Sequence, residues 1–158
     1  MTDVVNKATR SEMMSGIKGK NTKPELIIRS GLHRSGFRFR LHRRYIPGNP
    51  DIILPKHSAL IFVPGCFWHG HDCHLFKWPS TRPEFWKAKI ETNRARDVKV
   101  LAQLADTSWR VAQVWECALK GKSRLAPDQM MEKLCGWIEG ADPDLVVRSA
   151  QPTSATFA

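Results

Sequence analysis

Pro50-Asp51-Ile52-Ile53-Leu54-Pro55-Lys56-His57-Ser58-Ala59-Leu60-Ile61-Phe62-Val63 sets an acid at the mouth of one apolar run and returns, after a proline-led break, in a second. Both runs have strand length, and Pro55-Lys56-His57-Ser58 predicts a short reverse turn between them, so the stretch reads as a hairpin. Ala59–Val63 is apolar at every position, which predicts a strand covered on both faces and central in its sheet. Directly beyond it, Cys66-Phe67-Trp68-His69-Gly70-His71-Asp72-Cys73 crowds two thiols, two imidazoles and two large aromatics into eight residues. Packing alone gives no reason for so many soft ligands side by side. The central strand is therefore expected to end in a metal-stapled loop that holds aromatic rings out toward a partner.

Upstream, Thr22-Lys23-Pro24-Glu25 predicts a helix start, with Thr22 as cap, Pro24 in the first turn and Glu25 closing a capping box. Leu26, Ile27, Ile28 and Leu32 supply its apolar face, and Gly36 stands where a left-handed terminator belongs. Phe37, Phe39 and Leu41 alternate with polar residues as in a half-buried strand, and Pro47-Gly48-Asn49-Pro50 is a turn. Downstream, Thr81-Arg82-Pro83-Glu84 predicts a second cap. The long helix behind it runs to about Ala105, with Phe85, Ile90, Val98, Leu101 and Leu104 inward. Trp109–Trp115 reads as a strand. Pro127 opens a helix through Trp137 and Ile138, with Met130, Met131 and Leu134 inward. The order helix, three strands, helix, strand, helix predicts a mixed α/β domain with helices flanking a small sheet. Three segments follow: an arm over 1–20, whose only strong apolar cluster is Met13, Met14 and Ile17; a globular domain over 21–140; and a mobile tail over 141–158.

The chain has 158 residues and a formal charge of +10, enough for one core and suited to a polyanion such as nucleic acid. Arg34, Arg38, Arg40, Arg43 and Arg44 concentrate that charge, and six tryptophans are many for this length. Aromatics among basic residues suit stacking or wedging into bases. No apolar stretch could cross a bilayer and the N-terminus lacks a signal peptide's apolar core, so a cytoplasmic location is expected. Thiols stay reduced there, which favours metal ligation or burial over disulfides for Cys66, Cys73, Cys117 and Cys135.

Cys66, His71 and Cys73 can supply three zinc ligands within one loop, and Cys117, just after a strand, is the best fourth. Four protein ligands close the site, which predicts a structural role. Cys135 falls on an apolar helix face as a core thiol, leaving His69 and His74 outside the set. Catalytic zinc is a competing reading, but the chain has neither a His-Glu-x-x-His helix nor a His-x-Glu, which argues against the protease and deaminase kinds. Asp51 could hold Mg²⁺ against a phosphate, or simply cap its turn. Glu25 is explained by its capping box alone, and Asp97 could pair with Arg94, Arg96 or Lys99.

Together, a helix carrying Glu25, a hairpin opening on Pro-Asp and a central strand resemble the core of the restriction-endonuclease-like nucleases. Most of that family end the central strand in an acid, one residue and a lysine, whereas here the positions read Phe62-Val63-Pro64. One branch replaces that motif, the very-short-patch mismatch repair (Vsr) endonucleases, and this chain resembles it from about Lys7 to Ile138. The likeness runs through Pro47-Gly48-x-Pro50-Asp51, Gly65-Cys66-Phe67-Trp68-His69-x-His71-x-Cys73, Thr81-Arg82-x-Glu84-Phe85-Trp86, Asn93-x-x-Arg96-Asp97 and Trp115-Glu116-Cys117-Ala118-Leu119.

The resemblance implies a DNA mismatch repair endonuclease that nicks one strand beside the thymine of a T·G mismatch left by 5-methylcytosine deamination. It implies catalytic Mg²⁺ on the Asp51 carboxylate and the Val63 main-chain carbonyl. His69 would be general base or acid, with Glu25 and Asp97 orienting water or His69. Structural Zn²⁺ would sit on Cys66, His71, Cys73 and Cys117. Phe67, Trp68 and Trp86 would wedge into the duplex, although Trp86 alone would read as a core residue of its helix. It further implies a bacterial, cytoplasmic monomer, nucleoid-associated when bound to DNA, with no membrane partner, an N-terminal arm closing on the DNA, and mismatch-repair proteins as partners. One departure stands out. Family members often carry a second histidine where this chain has Pro64, so a zinc-stapled mismatch-binding protein with weakened catalysis is the alternative. A general restriction-type nuclease would leave the aromatic wedge without a use.

Overall fold

The computed structural model describes residues 22–41 and 45–150. The expected arm over 1–20, Arg43, Arg44 and the last eight residues lie outside these. The described residues form a mixed α/β fold of three helices and one five-stranded sheet. In chain order they are α1 (Lys23–Arg34), β1 (Arg40–Leu41), β2 (Ile52–Leu54), β3 (Ala59–Phe62), α2 (Pro83–Ala105), β4 (Arg110–Val114), α3 (Pro127–Glu139) and β5 (Asp144–Val147). Strand order follows sequence order. β1, β2 and β3 pair antiparallel, whereas β4 joins β3 and β5 joins β4 in parallel. β3 is thus central, as its uninterrupted apolar run predicts.

Period-two alternation divides the core between the two sheet faces. Ile52, Leu54, Ala59, Ile61, Ala112 and Val114 pack with Ile28 and Leu32 of α1 and Met130, Leu134, Trp137 and Ile138 of α3. Ile53, Leu60 and Val111 point the other way, onto Ile46 and onto Leu104 of α2. Helices α1 and α3 thus cover one face and α2 the other.

Helix α1 is capped by Thr22 as the sequence predicts, its Oγ1 accepting from the Glu25 N–H, while the Glu25 carboxylate expected to close a capping box engages Arg29 and Asp51. It ends in a Schellman arrangement, the Phe37 N–H reaching the Leu32 carbonyl and the Gly36 N–H that of His33, with Gly36 at φ +85. Its inward face differs from expectation. Glu25, Ile28, Gly31 and Leu32 are buried, while Leu26 and Ile27 look outward. The face follows 25, 28 and 32, and residues 26 and 27 are rotated away from that stripe.

Three further expectations are corrected. Thr81 does not cap α2. The helix begins one residue later, with Arg82 at the cap in a left-handed conformation (φ 52), which puts Thr81 a residue too early to reach the first turn. Of the residues expected inside α2, only Ile90 and Leu104 are buried, while Phe85 and Leu101 are exposed and Val98 is 70% exposed. The inner face of α2 carries polar Asn93, Arg94 and Asp97 at helical spacing from Ile90, so a search for an apolar stripe misreads it. The segment from 141 is not a tail throughout. Residues 144–147 form β5, Val147 is buried, and Ser149 beyond it is buried too. Four residues, with Asp, Leu and two valines, suffice for a strand once β4 offers an open edge.

Candidate active site and metal centre

The hairpin puts Asp51 beside the end of the central strand. The register pairs Ile52 with Ile61, so Asp51 falls opposite Phe62 and Val63. Its Oδ2 accepts the Val63 N–H at 2.7 Å, and its carboxyl also hydrogen-bonds that of Glu25 on α1. Glu25 is buried and holds Arg29 at 2.7 Å. Its carboxylate therefore turns into the sheet toward Asp51, a use that the capping box alone would not suggest. Burial first, and then hydrogen bonding to Glu25, push the Asp51 carboxyl up to about 8. Two acids share one poorly hydrated corner, so ionising the second is costly there, and a cation would offset that cost.

Beyond β3 the chain turns into the Cys66–Cys73 loop, and α2 holds it. Asn93 Nδ2 donates to the Trp68 carbonyl at 2.7 Å, Arg94 donates to the carbonyls of His69 and Gly70, and Asp97 Oδ2 meets His69 Nδ1 at 2.5 Å. Residues 93, 94 and 97 share one face of the helix, and that face serves the loop rather than the core. Gly70 adopts φ +58 with Ile90 and Arg94 packed where a side chain would begin, so only glycine lets the loop lie this close to α2. The pairing of Asp97 with His69, rather than with its basic helix neighbours, decides among the partners open to it on sequence alone.

Asp51, Val63, His69 and Asp97 line one cleft of about 1280 Å³ with Pro64, Phe67 and Trp68. Glu25 stands behind Asp51, and Trp86 joins through its ring, 5.2 Å from Phe67 and 5.7 Å from Trp68. Phe67, Trp68 and Trp86 are each half-buried, so the three rings brace one another. Lys89, Arg96 and Lys120 bring positive charge to the same cleft.

On the far side of the loop, the ligand atoms of Cys66, His71, Cys73 and Cys117 all lie within 4.8 Å of one another. His71 Nδ1 sits 3.5 Å from Cys66 Sγ and 3.6 Å from Cys117 Sγ. Two donors at about 2.0–2.3 Å from one tetrahedral ion stand about 3.5 Å apart, so the two His71 spacings fit a bound metal, and the full set, spread over up to 4.8 Å, would contract slightly around it. The protonation chemistry agrees. Hydrogen bonding within the thiol pair draws Cys117 down to about 4 and pushes Cys66 up, and burial keeps His71 below its ordinary value. A thiolate beside a neutral imidazole is what a soft divalent ion takes up. Cys135, on α3, stays outside the cluster.

Several supports of this cluster carry little signal in the sequence. Trp115 stacks on His71 at 3.9 Å and 7°, and its ring edge meets His69. Glu116 accepts the Cys66 N–H through Oε1, and its own N–H donates to the Pro64 carbonyl. Ser149 donates its N–H to Cys117 Sγ, and Arg148 reaches the Asp72 carbonyl. The first two flank a ligand and were findable as its neighbours. The last two lie just beyond β5, in the segment that composition marks as a tail.

The family profile described as DNA mismatch endonuclease Vsr matches residues 2–75. The type II nicking enzyme V.XorIIP of Xanthomonas oryzae is 50% identical over 119 residues, 75% of this chain and 88% of that protein. The DNA mismatch endonuclease Vsr of Escherichia coli is 43% identical over 147 residues, covering 92% and 94%. The type II nicking enzyme V.NmeAIP of Neisseria meningitidis is 41% identical over 123 residues, covering 78% and 88%. With relatives this similar spanning nearly their whole lengths, the chain belongs to the Vsr family of DNA mismatch endonucleases.

Proposed function

We propose that this protein nicks one strand of duplex DNA beside the thymine of a T·G mismatch, by Mg²⁺-dependent phosphodiester hydrolysis on a restriction-endonuclease-like frame. The observation that carries the reading is a single cleft lined by a carboxylate at a strand end, a histidine–aspartate pair and two packed aromatic rings. Asp51 and the Val63 carbonyl would hold the magnesium ion. One Asp51 oxygen is taken by the Val63 N–H, and the charge shared with Glu25 suits a cation. When bound, Mg²⁺ supplies positive charge to the in-line phosphoryl transition state and acidity to a bound water.

Asp97 fixes Nδ1 of His69 and so leaves Nε2 as the nitrogen that exchanges a proton with water or the leaving oxygen. Glu25 orients water from behind Asp51. Zn²⁺ on Cys66, His71, Cys73 and Cys117 ties the loop to the end of β4 and fixes its direction. Phe67, Trp68 and Trp86 enter the duplex at the mismatch. Unstacking a step costs a few kcal/mol, least at a mispaired one, so a rigid wedge selects by deformability. A charge of +10 gives sequence-independent attraction to phosphate, which weakens as salt rises. The protein acts as a bacterial cytoplasmic monomer on nucleoid DNA, with mismatch-repair proteins as its expected partners. No helix among the described residues is long and apolar enough to cross a membrane.

Pro64 bears on the alternative of a mismatch-binding protein. The N–H of Val63 is held by Asp51 and the carbonyl of Pro64 by Glu116, so the backbone is pinned on both sides of the proline. That supports an intact metal corner. The deciding experiment uses a T·G duplex labelled on each strand and its T·A counterpart. Nicking of the thymine strand alone, requiring Mg²⁺ and lost in Asp51→Ala, is expected. Tight mismatch binding without a nick, across a series of divalent ions, would establish the non-cutting alternative, and equal cutting of the T·A duplex a general nuclease.

A further inference from the structure

The wedge rings are the middle of a longer aromatic array. Phe67 packs on Trp68 and Trp86, and outward from it Phe76 lies 6.0 Å away with Trp78 edge-on to Phe76 at 4.9 Å. At the other end Phe85 meets Trp86 at 5.2 Å. The two outermost rings are the exposed ones, Trp78 at 53% and Phe85 at 46%, while the four between them are half-buried. Leaving a tryptophan this open to water has no packing benefit, and the segment that carries it is fixed. The Phe76 N–H bonds the Cys73 carbonyl inside the metal loop, and Pro79 follows Trp78 directly.

The surroundings are cationic. Lys77 is exposed beside Trp78, and the Arg82 guanidinium lies 4.4 Å over the Phe85 ring, which orients a positive edge next to an apolar face. Exposed aromatic faces alternating with fixed positive charge match a nucleic-acid strand, whose bases and sugars are flat or apolar and whose phosphates are anionic. A hydrophobic protein partner would have no use for the interleaved cations.

We propose that Trp78 and Phe85 are flanking DNA contacts, which pack on the sugars and bases on either side of the step opened by the wedge. The inference rests on the wedge reading of Phe67, Trp68 and Trp86 and extends it outward. A wedge stacks on the bases of the step it opens but leaves the displaced sugars beside them without an apolar neighbour. Rings at its flanks would supply one and keep the opened step from closing. Because the flanking nucleotides are displaced only when the step opens, the benefit should appear mainly on mismatched DNA.

The test measures equilibrium binding of the full chain to T·G and T·A duplexes of the same sequence, with Trp78→Ala, Trp78→Phe and Phe85→Ala. Base–aromatic stacking sets the scale, so Trp78→Ala should weaken T·G binding by about tenfold, leave T·A binding within about twofold, and be largely restored in Trp78→Phe. Phe85→Ala should give a smaller loss of the same kind. Melting temperature and metal content should not change, since both rings are surface residues, and this separates a contact role from damage to the loop. Wild-type affinity for T·G DNA retained in Trp78→Ala overturns the flanking role while leaving the wedge standing, and so does an equal loss on both duplexes. Absence of any mismatch preference in the wild-type chain overturns the wedge and its flanks together.

Discussion

The two ends of the Cys66–Cys73 loop solve opposite problems. At the ligand end, every donor has a partner. The thiols and imidazole converge within 4.8 Å, Glu116 Oε1 accepts the Cys66 N–H, Ser149 donates its N–H to Cys117 Sγ, and Trp115 covers the His71 ring. At the cleft end, two carboxyl groups crowd one corner, His69 is held through one nitrogen only among the described residues, and the rings are half-bare. One end invests its chemistry in fixing shape and the other keeps chemistry in reserve. The same class of substitution should therefore have opposite consequences at the two ends.

The largest effect is expected at the ligand end. Cys117→Ala removes one of four donors, and metal-linked folding free energy runs to several kcal/mol. At about 2–4 °C per kcal/mol for a chain of this size, the melting temperature should fall by roughly 10 °C, with loss of bound metal by elemental analysis. A variant that melts with the wild type and keeps its metal would break the contrast at once.

Smaller, but specific to the cleft end, is the effect of Asp97→Asn. The amide keeps the shape and loses the charge that holds His69 Nδ1 as a donor. Misoriented or mis-tautomerised imidazole costs general acid–base catalysis about a hundredfold. Single-turnover nicking should slow by about that factor with DNA affinity and melting temperature unchanged. A loss of stability equal to that of Cys117→Ala would show that the cleft is built like the staple after all.

The contrast between the two ends also explains what the sequence discloses. The convergence of Cys66, His71, Cys73 and Cys117 could be read because soft donors are scarce and their spacing is chemically restrictive, even with Cys117 far along the chain. The hairpin and central strand were plain from the unbroken apolar run and its proline turn. The inner face of α2 was not, because Asn93, Arg94 and Asp97 are polar residues turned toward a polar loop, which an apolar-stripe criterion assigns to solvent. β5 was missed for a related reason. Its four residues gain strand character from the open edge of β4 rather than from any pattern of their own. Glu25 and Asp97 each have an innocuous local explanation, and only tertiary placement distinguishes that from their contacts with Asp51 and His69.

The subtlest expected effects concern pH, and here the cleft end should behave in a way the ligand end cannot. Burial and Glu25 hold the Asp51 carboxyl up at about 8, against an ordinary value of 3.8. The folded state therefore binds this proton more tightly than the unfolded chain does. Its stabilising contribution is complete below pH 3.8 and is lost as pH rises through 8. Cation binding requires the ionised form, so the divalent-ion concentration for half-maximal nicking should fall by about tenfold per pH unit up to 8 and level off above it. In cation-free buffer the melting temperature should decline across the same interval. Asp51→Asn should flatten that decline and raise the melting temperature by a few degrees at pH 8, while abolishing nicking. Stability gained where activity is lost would mark Asp51 as a group held under electrostatic strain for the sake of its ion. A melting curve of Asp51→Asn that keeps the wild-type slope with pH would assign the strain elsewhere and remove the main physical argument for a cation at that corner.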